Sequence, residues 1–383
     1  MRNTDIWMDF LIPDEKRYWF INGECEALFY IDKKTNEIFY IADLPGESRL
    51  RSYNSGVLHC NELWFMPFNA NHILIYNIEL NCFRKILVDQ SYISRAQFSI
   101  CIKRGNFAFA IDTYLKHVVL KIDLLREKIS EISFANYIKE TDCLCRDYVL
   151  VEDKLYLADV DNPIILSIDI NTGSVEKFFI EESVQGFGTI EKWNEKIILS
   201  SGNGLFIWDM DKKKTEKCIS FDKVCGVQKK EQDRIVLEKG FSQLSAKYKQ
   251  PFWKSYLYNG KIWFISAVMN CSLIYDIVQD KIESINLGEE EFFDINIENP
   301  LEERVSIIKH LFSLVEKDEL LCYLTKSNSI IKINMNNWER GYVEFPISVD
   351  KGILYKILKK RKYQVIENKK FGVEEWIKFV KVH

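Results

Sequence analysis

Apolar residues fall along this chain in paired short pulses, and the pair recurs seven times. The first pulse of each pair centres on Trp19, Trp64, Ala108, Tyr156, Ile198, Trp263 or Leu321. A polar turn follows, and the second pulse closes on Asp32, Asn77, Asp123, Asp169, Asp209, Asp276 or Asn334. The copies read RYWF…LFYID, NELWF…ILIYN, GNFAF…VVLKID, DKLYL…IILSID, EKIIL…LFIWD, GKIWF…SLIYD and DELLC…SIIKIN. In five copies the centre lies 13 residues before the closing acid or amide, and in the other two 15 and 11. Those deviations are even, as when a hairpin turn gains or loses one residue on each side without flipping the strand faces. Each pulse has strand length and is bounded by turn residues, which predicts strands rather than helices.

The second copy displays a full unit of four strands at 56–60, 63–66, 73–78 and 83–88, joined by polar turns. The closing acid opens the last turn of a unit, as in the stretch from Asp32 to Glu37 and in Asp169-Ile-Asn-Thr-Gly-Ser174. A carboxylate there can accept backbone N–H bonds, and Gly173 supplies a positive φ. Turn chemistry therefore accounts for the closing acids without catalysis. Seven self-similar four-stranded units predict an all-β, seven-bladed β-propeller of antiparallel blades. We read it as a single domain over 1–383, with blades near 1–47, 48–92, 93–138, 139–182, 183–222, 223–290 and 291–348. A radial arrangement buries both faces of each sheet, hence the nearly continuous apolar pulses.

Three segments exceed the repeat. Residues 223–250 form one insertion, and 289–303 a second, acidic one in which Asn299-Pro300 resembles a helix start. The tail from 349 carries a basic run at 359–362 and then Val373, Trp376, Ile377 and Val380 on one helical stripe, which predicts a short C-terminal helix. The first repeat is short at its front, with only 5–12 free for its first strand. The ring's seam should fall there, with a closing strand drawn from 342–347 or 363–367.

Composition narrows the class of partner. With 52 basic and 56 acidic residues the net charge is −4, which gives no whole-molecule attraction to nucleic acid or anionic membrane. No apolar run is long enough to span a bilayer, and the first twenty residues lack the pattern of a secretory leader. The ten cysteines show no disulfide rhythm. Cys82, Cys101, Cys218 and Cys322 sit within apolar pulses, where Cys acts as a small hydrophobe. Cys143 and Cys145 alternate onto one strand face, as packing residues would. A cytoplasmic, reducing location is expected.

Ile207-Trp208-Asp209 resembles the strand ending of a WD-repeat, with Ile274-Tyr275-Asp276 a near variant. Asp169-Ile-Asn-Thr-Gly173 is similar to the turn of quinoprotein-type bacterial propellers. The Gly-His dipeptide of WD-repeats and the paired glycines of kelch repeats are absent. The resemblance, over about 5–348, implies the propeller superfamily and carries no family function.

In propellers the second-to-third-strand turns and the blade-to-blade links generally share one rim of the central channel. Here those turns are polar in every copy, and they supply Glu24, Asn71, His72, Asp112, Tyr114, Asp161, Asn203, Asn270 and Asn328 as a candidate binding collar. Hairpin turns favour such residues for backbone reasons alone. His72 and His117 close adjacent turns, and with Asp112 or Asp161 would be the nearest thing to a metal donor set. No metal-spacing, phosphate-loop or dinucleotide motif accompanies them, so neither metal nor cofactor is expected. The expected function is a non-enzymatic scaffold that binds a protein or peptide partner through this rim. The alternative is a carbohydrate- or small-molecule-active hydrolase or lyase using Glu24, Asp112, Asp161 and His72 at the channel mouth, with a sugar or other small molecule as ligand.

Overall fold

The computed structural model describes residues 8–23, 26–46, 51–88, 98–113, 116–202, 204–221, 250–266, 271–287, 310–324 and 329–344. They form seven four-stranded antiparallel sheets at 12–43, 53–87, 98–133, 149–179, 189–220, 252–286 and 310–344. This is a seven-bladed β-propeller. In each sheet the strands neighbour one another in chain order. Both insertions and the candidate C-terminal helix lie outside the described residues. Within them the helical element is a single 3₁₀ turn, Ala135–Tyr137, and no helix is long and apolar enough to cross a membrane.

Period-two alternation explains the apolar pulses residue by residue. Leu63 and Phe65 pack with residues of blade 1, including Trp19 and Leu28, while Trp64 and Met66 pack with Phe98 and Ala108 of blade 3. Successive side chains of one strand point to opposite sheet faces, and each face is an interface with a neighbouring blade. The same division joins blades 3 and 4, 4 and 5, and 6 and 7. A final cluster joins blade 5 to 6 and blade 7 to 1. The core is therefore a ring of inter-blade layers. Trp19, Trp64 and Trp263, three of the pulse centres, are at most 1% exposed within it.

Outer strands face solvent on one side, and this corrects part of the cysteine reading. Cys82 and Cys218 lie on outer strands Cys82–Leu87 and Lys214–Ser220 and are exposed. Cys101 is half-buried and Cys322 buried. Cys143 and Cys145 pack in one cluster, as their alternation implies.

The closing residues act as turn brackets in all seven blades. One side-chain oxygen of Asp32, Asp123, Asp169, Asp209, Asp276 and Asn334 accepts the N–H groups two and three positions on, at 2.8–3.3 Å. Asn77 accepts from Leu80 N at 2.9 Å. Four positions after each bracket the backbone turns left-handed, at Asn36, Asn81, Glu127, Gly173, Lys213, Asp280 and Trp338. Only one of these seven is a glycine.

The seam closes differently from the expectation. Arg340–Glu344 pairs with Ser329–Asn334 as the outer strand of blade 7 itself, and blade 1 takes Ile12–Pro13 as its first strand. The pairing of that strand ends at Pro13 because the hairpin turn follows at once, with Asp14 N donating to Arg17 O at 2.9 Å. The candidate strand at 363–367 lies outside the described residues. Side chains join blade 7 to blade 1: Lys33 pairs with Glu316, and Lys332 donates to Asn36 at 2.8 Å. Both ammonium groups lie over the Tyr18 ring, at 4.4 and 5.9 Å. Burial, followed by the Glu316 carboxylate, raises the Tyr18 hydroxyl pKa.

Candidate functional site

The first strand of each blade is the innermost. Blade-to-blade links and the turns between second and third strands meet at the end where these inner strands begin. A cavity of about 220 Å³ opens there. Its wall takes Asp9, Asn54, Ser99, Arg146, Trp253 and Phe312 from six different blades or the links leading into them. Ile100, Ile265 and Leu314 add apolar surface. The central channel thus combines apolar wall with few charges, the usual make-up of a ligand site.

Apart from Asp9, those charges come from two stretches. Arg146-Asp147-Tyr148 leads into the inner strand of blade 4 (Val149–Val151), and Trp253-Lys254-Ser255 begins that of blade 6 (Phe252–Tyr258). Asp147 is buried and binds blades 5 and 6. Its Oδ2 accepts from Ser255 N at 2.9 Å, Ser255 Oγ at 2.6 Å and, in blade 5, Ile190 N at 3.4 Å. Its Oδ1 accepts from Lys254 Nζ at 2.8 Å. Burial on its own would lower the Lys254 ammonium, but the Asp147 carboxylate overrides it and the net shift is upward. Lys254 also lies 4.7 Å from the centre of the Tyr148 ring.

Glu191, on the inner strand of blade 5 (Thr189–Trp193), accepts from Lys192 N at 2.9 Å and Leu257 N at 3.0 Å. Burial, then the nearby Asp147 charge, pushes its carboxyl up to about 7. Across the channel Arg51 grips Asp9 with two nitrogens, at 2.6 and 3.1 Å. The Arg146 guanidinium lies over the Trp253 ring at 5.3 Å.

Of the residues singled out by sequence, Glu24, Tyr114, Asn203, Asn270 and Asn328 lie outside the described residues. The other four sit in their turns around the rim and outside the cavity wall. His72 Nδ1 shares a hydrogen bond with Asn71 Oδ1 at 2.9 Å, and its Nε2 with Tyr53 OH at 2.6 Å. Asp112 is fully buried and accepts from Lys116 N at 3.4 Å. Asp161 donates its N–H to Asp159 at 2.7 Å and accepts from Cys143 N at 3.3 Å. His117 Nε2 bonds the Asp142 carbonyl at 3.0 Å. Among the described residues no three His, Cys, Asp or Glu side chains come together as a metal site.

Asp159 is buried beneath the Asp161 turn and accepts from Asn162 N and Nδ2. Burial raises its carboxyl to about 6 despite those bonds. The turns between second and third strands are marked in the sequence by polar runs, whereas the channel's own charges lie one or two at a time in the links and at the start of an inner strand. The blade-to-blade links share that rim. The available signal was a charged pair directly before an inner strand, Arg146-Asp147, between the buried Cys145 and Val149.

No family model matches the sequence, and no curated protein does. The fold itself has clear counterparts. YCF48 bound to a D1 peptide aligns with a TM-score of 0.56 at 10% identity, over 83% of this chain and 89% of that one. A chain of the mitotic checkpoint complex aligns at 0.53 and 9% identity, over 85% and 87%. The extracellular domain assigned to a hybrid two-component system of B. thetaiotaomicron aligns at 0.51 and 13%, over 88% of this chain and 40% of that one. At such identities the likeness is one of fold, and the fold shared is the propeller.

Proposed function

We propose that this protein is a recognition propeller that takes a peptide or a protein segment at the rim where the central channel opens. The observation that carries the reading is the cavity of about 220 Å³ walled by residues from six blades, with mixed apolar and polar lining. A rigid concave site of this kind limits the ordering cost of binding to the ligand. Two proteins of the same fold were solved as a peptide complex and as part of an assembly, which is compatible with the reading. The rim residues Asn71, His72, Asp112 and Asp161, with Glu24, Tyr114, Asn203, Asn270 and Asn328, would form the collar around that mouth. A cytoplasmic setting suits the seven cysteines whose side chains are described, all free thiols and three of them exposed.

The enzymatic reading has less support. Asp147 is buried beside the channel, and its lone pairs are already filled by four donors. Asp161 is likewise engaged in its own turn. Selection from a random peptide display library tests the binding reading. The wild-type protein should enrich a motif, and Ser99→Trp, which adds bulk to the cavity wall, should abolish that enrichment. Enrichment unaffected by Ser99→Trp would move the site away from the channel.

A further inference from the structure

Among the described residues, Arg146 is the cation of the channel left without a counter-charge. Arg51 is bound by Asp9 and Lys254 by Asp147. Among the described residues no carboxylate comes within ion-pair distance of Arg146. Its Nε and Nη2 are buried and donate to nothing. Stacking on Trp253 supplies some attraction, yet a guanidinium with buried, unbonded N–H groups is costly unless a partner arrives. Behind it, a second cavity of about 20 Å³ is bounded by Cys143, Cys145, Gly188, Gln250 and Trp253. Gln250 Oε1 is buried and unbonded, while its Nε2 donates to Val160 and Gly186 carbonyls at 3.1 and 2.9 Å. That space suits a single water, which can satisfy a donor but cannot neutralise the charge.

We propose that Arg146 receives a carboxylate of the bound peptide, inserted into the channel with an apolar side chain against Phe10, Ile100, Trp253 and Leu314. This rests on the peptide-binding reading and names the chemistry it recognises. One uncompensated positive charge matches a monoanion. The free volume equals that of roughly seven waters, which suits a terminal or side-chain carboxylate with its flanking residue. The planar guanidinium is the cation best shaped to hold one.

The test compares N-acetyl-leucine with N-acetyl-leucinamide, which differ in the carboxylate, by calorimetry and by the Arg Nε–H resonance of Arg146. Wild type should bind the acid about 10- to 100-fold more tightly than the amide and shift that resonance. Arg146→Gln should bind the two equally, and Arg146→Lys should restore part of the preference, with thermal melts confirming that each variant is folded. Equal binding of acid and amide by wild type overturns the assignment, as does a preference that survives in folded Arg146→Gln. Inorganic phosphate binding more tightly than N-acetyl-leucine also overturns it in favour of a general anion site. Failure of wild type to enrich any peptide, with the acid preference intact, would instead sink the peptide reading alone.

Discussion

The carboxylate of Asp147 is bound to Ser255, 108 residues later, through both the backbone N at 2.9 Å and the hydroxyl at 2.6 Å. The same side chain meets Lys254 and the backbone of Ile190. One buried acid thus joins the inner strands of blades 4, 5 and 6 at the channel wall. Polar bonds supplement the apolar layers between blades elsewhere too, as the Lys33–Glu316 pair does between blades 7 and 1, and that of Asp147 spans three blades.

Asp147→Ala should accordingly be among the most damaging single substitutions. It strands a half-buried ammonium and a backbone N–H, and breaking a fully buried pair from one side typically costs about 3–5 kcal/mol, an upper bound here. Urea denaturation should show a loss within that bound. Asp147→Ala/Lys254→Met should lose less than Asp147→Ala, because no unpaired ammonium remains. A double variant as unstable as the two single changes summed would show that the pair is not coupled.

The repeat register, the turn brackets and the two-faced burial of each pulse were legible in the sequence because they are local. Leu63 and Trp64 face different blades simply through alternation, and Asp169 caps its turn with neighbours two and three positions away. The bond from Asp147 to Ser255 obeys no local pattern. Nothing in Cys-Arg-Asp-Tyr marks one charge as a staple and the other as a free cation until the ring brings blade 6 alongside. Cys82 misled for a related reason, since an apolar neighbourhood in sequence does not distinguish an outer strand from an inner one.

The turn brackets predict acid lability. Asp32, Asp169 and Asp276 have their pKa values lowered chiefly by backbone N–H bonds. A carboxylate lowered in this way contributes stability above its unfolded value of about 4 and loses it as pH falls further. Asn77 and Asn334 hold the equivalent place without titrating. The variant Asp32→Asn/Asp169→Asn/Asp276→Asn should therefore lose less melting temperature than wild type between pH 5 and pH 2.5 (about half a unit either side would serve). Parallel curves would assign the acid lability to other groups.

Gly173 is the only glycine among the seven left-handed turn positions, at φ +77°. A Cβ there would meet Ile132 Cγ2 at 3.7 Å, an ordinary contact. The cost of Gly173→Ala is then that of the backbone, about 1 kcal/mol. The six non-glycine counterparts show that the turn accepts a side chain. A shift in the urea midpoint corresponding to more than about 3 kcal/mol would mean that Gly173 has a packing role beyond its φ.

Glu191 gives the channel a pH response near neutrality. Its carboxyl stands at about 7, raised first by burial and then by Asp147, while Lys254 and the N–H groups of Lys192 and Leu257 oppose the shift. The unfolded value is about 4.3, so the folded state holds this proton more tightly. Its contribution to stability is complete below about pH 4 and drains away as pH rises towards 7. Glu191→Gln keeps an acceptor and cannot titrate, so it lacks this decline. Relative to wild type it should melt higher at pH 8.5 than at pH 5, with most of the change between about pH 5 and 7.5. A difference that stays constant over that range would mean that the Glu191 carboxyl is ionised throughout and that the channel wall holds a permanent second negative charge beside Asp147.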